Sequence, residues 1–242
     1  MEAEPRVVEM CIRDSRTTAA VTATAGVVLE NARQKLAATF YMHNSGGHTQ
    51  ASSQAWSEGK DNTVGVVDAP EGSAALKGLF PVGPAGLLRF LDDLDGDLPG
   101  WPRQAGGATW RWSQRLTPAE LASSVSKRHK ALGVLRTVRG LDRSEGGYLR
   151  RVQLQGDGGD SVGSSDYIRS ALKGLKSNLF YAELRRDAQG GTAALLFHGG
   201  GWGHGVGMSQ AGARAMDDAG KVRSEILYHY FPNTRLKKRY GP

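Results

Sequence analysis

The chain has 242 residues, one cysteine, a formal net charge of +7 and 33 glycines, which are the main departure from average composition. This length suits one large domain or two small ones, and it buries a sizeable core without disulfide bonds. A single cysteine excludes an intrachain disulfide framework and a zinc site built on two or more thiolates. No apolar run approaches the ~20 residues of a membrane span, and the acidic start of the sequence is unlike a secretory signal.

The first part of the chain predicts short elements around polar loops. Residues 1–16 share no hydrophobic period with the neighbouring segment, so we interpret them as a foreign leader in which Cys11 has no function. An Ala-rich stretch from Thr17 predicts a helix closed by Gly26. Strands are predicted at 27–29 and 36–41, around a polar turn, and at 63–67.

A stretch rich in glycine and proline, at about 70–108, predicts an insertion that runs over the surface, with one helix at its apolar centre. The acidic residues 93–97 resemble a calcium loop, but Leu98 and Gln104 stand where an EF-hand needs glycine and glutamate. We therefore interpret residues 93–97 as an acidic surface turn.

The second half predicts more regular structure. Thr117, Pro118 and Glu120 form a capping box at the start of a helix. Alternating or apolar runs predict strands, residues 165–175 predict a helix, and the basic run 235–239 is interpreted as a solvated end. The predicted strands lie at 110–112, 134–138, 148–155, 180–185 and 192–197, the last two as a hairpin. Residues 17–242 are thus expected to form a mixed α+β domain, with a mainly antiparallel sheet and a few short helices.

The most informative stretch is a glycine loop at 198–207, between a predicted strand and a helix that Gly220 closes. Alternate glycines permit positive φ angles and close approach of a ligand, and a helix N-terminus adds free N–H donors. The loop carries Trp202, which could stack on a sugar ring, and His204, which titrates near neutral pH. The alternative interpretation is a tight turn packed around Trp202.

Several known motifs are absent from the sequence. No register of the glycine loop gives the dinucleotide-binding pattern, and neither a P-loop lysine nor a Gly-x-Ser-x-Gly nucleophile is found. A second glycine site, Ser45-Gly46-Gly47, lies between two histidines. The histidines that tertiary folding could bring together match no metal motif, so no metal or other cofactor is predicted. These histidines are His43, His48, His198, His204 and His229.

The motif residues closely resemble the SpoIID/LytB family, the stage II sporulation protein D and amidase-enhancer proteins of bacterial cell walls. The resemblance is carried by 201–213, by 226–234 with Tyr240, and upstream by 19–26, by 45–49 and Trp56, by 116–121 and by 168–169. It covers about residues 17–240, apart from the insertion. It implies that the substrate-binding residues are Ser45, Gly46, Gly47, Trp56, Gly201, Trp202, Gly203, His204, Gly205, Ser209 and Gln210.

The family resemblance implies lytic transglycosylation of peptidoglycan whose stem peptides have been removed. A protonated carboxyl acts on the glycosidic oxygen, and the C6 hydroxyl of muramic acid attacks to give an anhydro product. The family's acid lies well upstream of the segment that 19–26 resembles. Glu9-Met10 mimics its motif, but Cys11 replaces the proline and the spacing is too short. The chain is therefore expected to match the C-terminal two-thirds of the domain and to lack the catalytic acid.

The resemblance leaves three hypotheses open. The chain is a transglycosylase that lacks its acid, a non-catalytic wall-binding or amidase-enhancing module, or an unrelated enzyme that uses another carboxylate. For the third, Glu120 is explained as a cap and Glu183 as a strand residue, which leaves Glu58 as a weak catalytic candidate. The expected partners are peptidoglycan glycan strands and a wall amidase or other remodelling protein, and the expected location is outside the cytoplasm.

Overall fold

The computed structural model describes residues 15–56, 59–60, 62–71, 73, 78–92, 99–126, 132–164, 167, 169, 171–172 and 174–241. The acidic turn at 93–97 lies outside these residues, and the predicted helix at 165–175 is described only in part, with residues 167, 169 and 171 helical. Cys11 and Glu58 also lie outside the described residues.

The fold is α+β, as predicted. The α-helices with both ends among the described residues are α1 Ser15–Ala23, α2 Ser52–Ala55, α3 Pro84–Leu91, α4 Trp101–Gly106, α5 Pro118–Ser126, α6 Gln210–Asp218 and α7 Arg223–Tyr230, and a 3-10 helix spans Gly107–Thr109. The strands are β1 Val27–Asn31, β2 Tyr41–Met42, β3 Arg111–Leu116, β4 Leu135–Arg143, β5 Leu149–Gly156, β6 Gly159–Ser164, β7 Phe180–Arg186, β8 Thr192–Gly200, β9 Met208–Ser209 and β10 Thr234–Lys238.

The strands form small sheets instead of one large one. Two are antiparallel and three-stranded, in the orders β3-β8-β7 and β4-β5-β6. A third pairs β1 with β10, antiparallel, and a fourth pairs β2 with β9, parallel. The predicted hairpin is confirmed as β7 and β8, whereas β6 was not foreseen.

The main hydrophobic core lies where the two three-stranded sheets meet α5. Leu116, Leu135, Val152 and Phe197 are each at most 2% exposed there. The predicted capping box is confirmed, because the Thr117 backbone N–H donates to the Glu120 carboxylate over 2.9 Å at the start of α5. Local sequence thus sets where this helix begins, and burial of its apolar face holds it against the sheets.

The helix predicted at the apolar centre of the segment at about 70–108 is confirmed as α3, but the described residues of this segment do not all run over the surface. Helix α3 buries Leu87, Phe90 and Leu91 in a second core beside Tyr148. Helix α4 packs against α6 and buries Trp101 in a third core. Proline and glycine in this segment start and link short helices, and do not mark a solvent-exposed loop.

Three local predictions are also corrected. Residues 36–41 and 63–67 are mostly outside strands; only an isolated bridge joins Leu36 to Glu30 of β1, whose extended pairing is with β10. Helix α1 ends at Ala23, so Gly26 lies beyond its end and does not close it directly. The basic side chains of 235–239 are exposed, as predicted, but most of the run forms β10 and pairs with β1.

Candidate functional site

The glycine loop connects β8 to β9 and then to α6, as the predicted order of strand, loop and helix requires. Gly205 has a φ of +82°, and a Cβ there would lie 2.7 Å from the Tyr148 ring. Gly207 has a φ of +76°, and a Cβ there would lie 2.1 Å from the Phe40 carbonyl oxygen. Both positions therefore require glycine for the backbone conformation and for the packing.

The structure brings the two predicted glycine sites together. Asn44 and Trp202 exchange backbone hydrogen bonds of 3.1 and 2.8 Å. Farther along, the Gln50 side chain donates to the His204 carbonyl over 2.7 Å. Because these hydrogen bonds hold the two loops together, Trp202 projects from a fixed frame.

Ser45, Gly46 and Gly47 form the buried support of this frame and are not on its outer surface. The Gly46 N–H donates to the Asn44 side chain over 2.7 Å, and the Gly47 N–H donates to Ser45 Oγ over 3.1 Å. Gly201 is also buried, and its carbonyl accepts a 2.9 Å hydrogen bond from the Trp112 indole. Their placement supports a positioning role more than direct contact with a ligand.

Aromatic side chains cover the outside of the frame in two groups. In the first, the Trp56 ring lies 4.9 Å from Phe40 and 5.1 Å from His204, centroid to centroid. In the second, Trp202 is 46% exposed, with His43 5.3 Å away and Lys176 Nζ 5.9 Å from the ring. We call these six residues the aromatic surface. Of the predicted binding residues, Trp56, Trp202 and His204 lie on it.

His204 is oriented by its own loop. Its Nδ1 accepts a 3.0 Å hydrogen bond from the Val206 N–H, which puts the proton of the neutral ring on Nε2. Gly203, between the two aromatic residues of the loop, donates its N–H to the Lys176 carbonyl over 2.9 Å. The loop therefore presents an indole and an imidazole at fixed positions.

Beneath this frame lies a buried carboxyl, Asp68, which the sequence did not single out. It is fully buried and accepts hydrogen bonds from Ser45 Oγ at 2.5 Å and the Tyr230 hydroxyl at 2.7 Å. The Ser209 hydroxyl also bonds to it. Burial raises the pKa of Asp68 to about 6, with the three hydroxyl bonds acting in the opposite direction.

Ser209 and Gln210 mark the start of α6. Ser209 is buried at the N-cap, where its Oγ accepts from the Gly212 N–H and from the Ser45 N–H, each over 3.2 Å. Gln210 is exposed at the first position of the helix. Ser209 thus joins the helix start, the second glycine site and Asp68, a role that its place after the glycine loop did not predict.

The remaining candidates lie in separate places. Glu120 caps α5, and Glu183 contacts Arg185 at 3.2 Å and His198 at 3.8 Å on β7 and β8. His48 packs on Phe80, while His229 Nε2 lies 3.9 Å from Asp68. Within the described ranges, no three His, Cys, Asp or Glu side chains come together as a metal ligand set. Helices long and apolar enough to cross a membrane are likewise not found in that part of the chain.

The described residues form an α+β domain in which aromatic side chains lie around a glycine loop. Residues 100–207 match a family described as a domain of unknown function, DUF8618. Over 244 aligned residues the chain is 25% identical to the "Amidase enhancer" of Bacillus subtilis (strain 168). This alignment covers 92% of the chain and 33% of that protein. The chain is therefore SpoIID/LytB-like, and it spans about a third of the length of the curated relative it matches.

Proposed function

We propose that this chain is a non-catalytic module that binds cell-wall glycan and enhances a wall amidase, outside the cytoplasm. The observation that carries the proposal is the relative of the amidase-enhancer type, which aligns with most of the chain. The aromatic surface supplies the means, because an exposed indole held on a rigid loop offers a flat apolar face to a sugar ring.

The transglycosylase hypothesis has weaker support in the described residues. That reaction needs a carboxyl that is kept protonated near neutral pH and that reaches the substrate. Asp68 is the described carboxyl with a raised pKa, but it is fully buried behind Ser45 and Tyr230. A group enclosed in this way holds the frame together and does not meet a glycosidic oxygen.

The test compares wild type with Trp202→Ala in two measurements on the same preparation. The first is retention on peptide-stripped glycan strands, and the second is the rate at which a purified wall amidase releases peptides from intact walls. We expect Trp202→Ala to weaken glycan binding roughly three- to tenfold, the equivalent of an aromatic contact, and to reduce the stimulation in parallel. Tyr240→Ala is the matched control, because Tyr240 is an exposed aromatic residue near the C-terminus.

The same incubation distinguishes the enzymatic alternative. Anhydromuramic products detected by mass spectrometry with wild-type protein alone would overturn the non-catalytic proposal and make Glu58 the first residue to replace. Failure of the wild type to stimulate the amidase, despite glycan retention, would contradict the enhancing role and leave the binding role intact.

A further inference from the structure

A strip of basic side chains lies on one face of the β1–β10 pair, and the proposed glycan contact does not use it. Arg235, Lys237 and Arg239 stand at alternate positions of an extended segment that pairs with β1, so their side chains share a face. These side chains are 56%, 50% and 39% exposed. We call these three residues the basic strip.

One carboxylate, that of Glu30, holds the basic strip in place. Glu30 is fully buried, and its Oε1 accepts from Arg239 over 2.5 Å while its Oε2 lies 3.3 Å from Arg235. Lys237 Nζ is farther from this carboxylate, at 4.0 Å. A single negative charge balances one cation, so the described contacts leave two of the three positive charges uncompensated on an exposed face.

The sequence limits how far the undescribed residues could change this excess of positive charge. All of them together hold ten acidic and seven basic side chains, a net charge of −3. Residues 27–35 and 234–239, which form the β1–β10 pair and the turn after β1, hold six basic side chains and one acidic side chain. Their excess of five positive charges is larger than the net negative charge of every undescribed residue combined.

We propose that the basic strip binds a linear polymer of the cell wall whose units are joined by phosphodiesters. Alternate residues of a strand recur about every 7 Å, so the strip presents a row of cations to successive phosphates of an extended chain. Guanidinium groups offer paired N–H donors to phosphate oxygens, and the lysine ammonium adds a point charge. The inference rests on the proposed location in the wall, and it names a second partner there.

The shape of the basic strip favours a polymer chain over a lipid surface. Elements that lie on membranes bury an apolar face in the bilayer beside their basic residues. Here the apolar residues of the two strands, Leu29 and Leu236, pack in the third core. A single row of cations on an extended strand matches the charges of one linear chain. The polymer would add charge attraction on the β1–β10 pair to the glycan contact on the aromatic surface.

The experiment measures the affinity of the protein for two forms of one wall preparation. Both forms are stripped of stem peptides; one keeps its phosphodiester polymer, and the other has lost the polymer by hydrofluoric acid treatment. Wild type is expected to bind both through the glycan, and the first form roughly tenfold more tightly at low ionic strength, as two or three exposed ion pairs would give. The advantage is expected to fall steeply with added salt.

Substitutions locate the advantage on the basic strip. The double variant Arg235→Gln/Lys237→Gln keeps the Arg239 bond to Glu30, and it should lose most of the advantage while binding polymer-free walls as wild type does. Unchanged binding to those walls shows that the variant is folded. Lys237→Glu, at the position farthest from Glu30, should lose the advantage as well. Arg185→Gln/Arg186→Gln removes two exposed cations from β7 and is the control for net charge.

The outcomes separate this inference from the proposed function. Equal binding of wild type to both forms of wall, or a control variant that loses as much as the double variant, would overturn the polymer site and leave glycan binding standing. Binding to polymer-bearing walls alone would overturn the glycan contact and support the strip. Tighter binding to phosphatidylglycerol vesicles than to the isolated polymer would overturn the proposal in favour of a lipid surface.

Discussion

Among single residues, Asp68 is the one whose role depends most on its surroundings. A carboxyl without exposure is costly when charged, and the hydroxyls of Ser45, Ser209 and Tyr230 compensate only in part, so its pKa rises to about 6. The same three partners come from the second glycine site, the start of α6 and the end of α7. Asp68 therefore ties the frame of the candidate site to the helices behind it.

The raised pKa gives Asp68 a defined effect on stability. The folded protein holds this proton more tightly than an unfolded chain, in which the pKa is near 3.8. The contribution of Asp68 to the free energy of unfolding is therefore largest below pH ~4 and falls by about 3 kcal/mol as the pH rises to ~6. Asp68→Asn has no proton to lose. The difference in unfolding free energy between wild type and this variant should track that fall and level off above pH ~7.

Urea unfolding followed by tryptophan fluorescence between pH 4 and pH 8 would measure this difference. His48, whose pKa burial lowers to about 4, titrates in both proteins and largely cancels. His229 lies beside Asp68, so the comparison is repeated in a His229→Gln background to remove the contribution of its imidazole. A difference that stays constant across the range would show that Asp68 remains ionised when folded.

Among the structural elements, the glycine loop has a backbone that depends on glycine at several positions. Gly207 combines a positive φ with the Phe40 carbonyl at 2.1 Å from the position a Cβ would take. Gly190, in the turn between β7 and β8, also has a positive φ of +81°, but a Cβ there would meet nothing within 4 Å. Substitutions at these two positions therefore distinguish the cost of backbone strain, which both share, from the cost of a steric clash, which only Gly207 has.

We expect Gly207→Ala to lower the free energy of unfolding by about 3 kcal/mol or more and to abolish glycan binding. Gly190→Ala should cost only about 1 kcal/mol, since it has the strain without the clash, and should leave binding unchanged. Chemical denaturation gives the first quantity, and glycan retention gives the second. Equal losses at the two positions would contradict the idea that the Phe40 contact requires glycine.

At the scale of the whole molecule, two strands that are far apart in sequence, β1 and β10, are paired. Strand β1 pairs with β10 across five residue pairs, and the carboxylate of Glu30 is buried among basic residues of the C-terminal segment. Arg239 donates to Glu30 over 2.5 Å, Arg235 lies at 3.3 Å and Lys237 at 4.0 Å. The hydrogen bond from Arg239 holds the pKa of Glu30 below its usual range, and the positive charges of Arg239 and Lys237 act in the same direction.

This arrangement predicts a pH-dependent loss of stability in Glu30→Gln. A lowered carboxyl pKa stabilises the folded state above the ordinary value of 4.5, and the contribution is lost as the pH falls through the folded value. The Tm of Glu30→Gln should therefore lie below that of wild type at pH 7, and the gap should close on acidification. The Tm of Glu225→Gln, a substitution at an exposed helix cap, should fall less at pH 7 than that of Glu30→Gln. A pH-independent gap would indicate a packing defect instead.

Features encoded by a few adjacent residues were predicted correctly. The Thr117–Glu120 capping box, the hairpin around 187–191 and the helix after the glycine loop all result from local hydrogen bonding and short-range hydrophobic spacing. Trp202 and His204 were singled out by the glycine loop and Trp56 by the family resemblance, and their role in binding stays a prediction. The glycine loop that carries two of them is a motif of contiguous residues.

Long-range pairing decided the features that local sequence left open. Residues 36–41 have a strand-like composition, but β1 pairs with β10 from the other end of the chain, and no local signal encodes that choice. The basic run 235–239 is exposed, as predicted, but only the fold places Glu30 beside it. Asp68 shows no motif and became recognisable only when three hydroxyls from distant segments surrounded it.

By itself, the sequence determined the α+β class, the glycine loop, the identity of its exposed aromatic residues and the resemblance to SpoIID/LytB proteins. Tertiary structure alone decided that the two glycine sites form one frame, that Asp68 supports it and that the basic strip gathers around Glu30. The physical reason is that turns, caps and periodicity act over a few residues. Burial of a charge and convergence of side chains depend on segments that only the complete fold brings together.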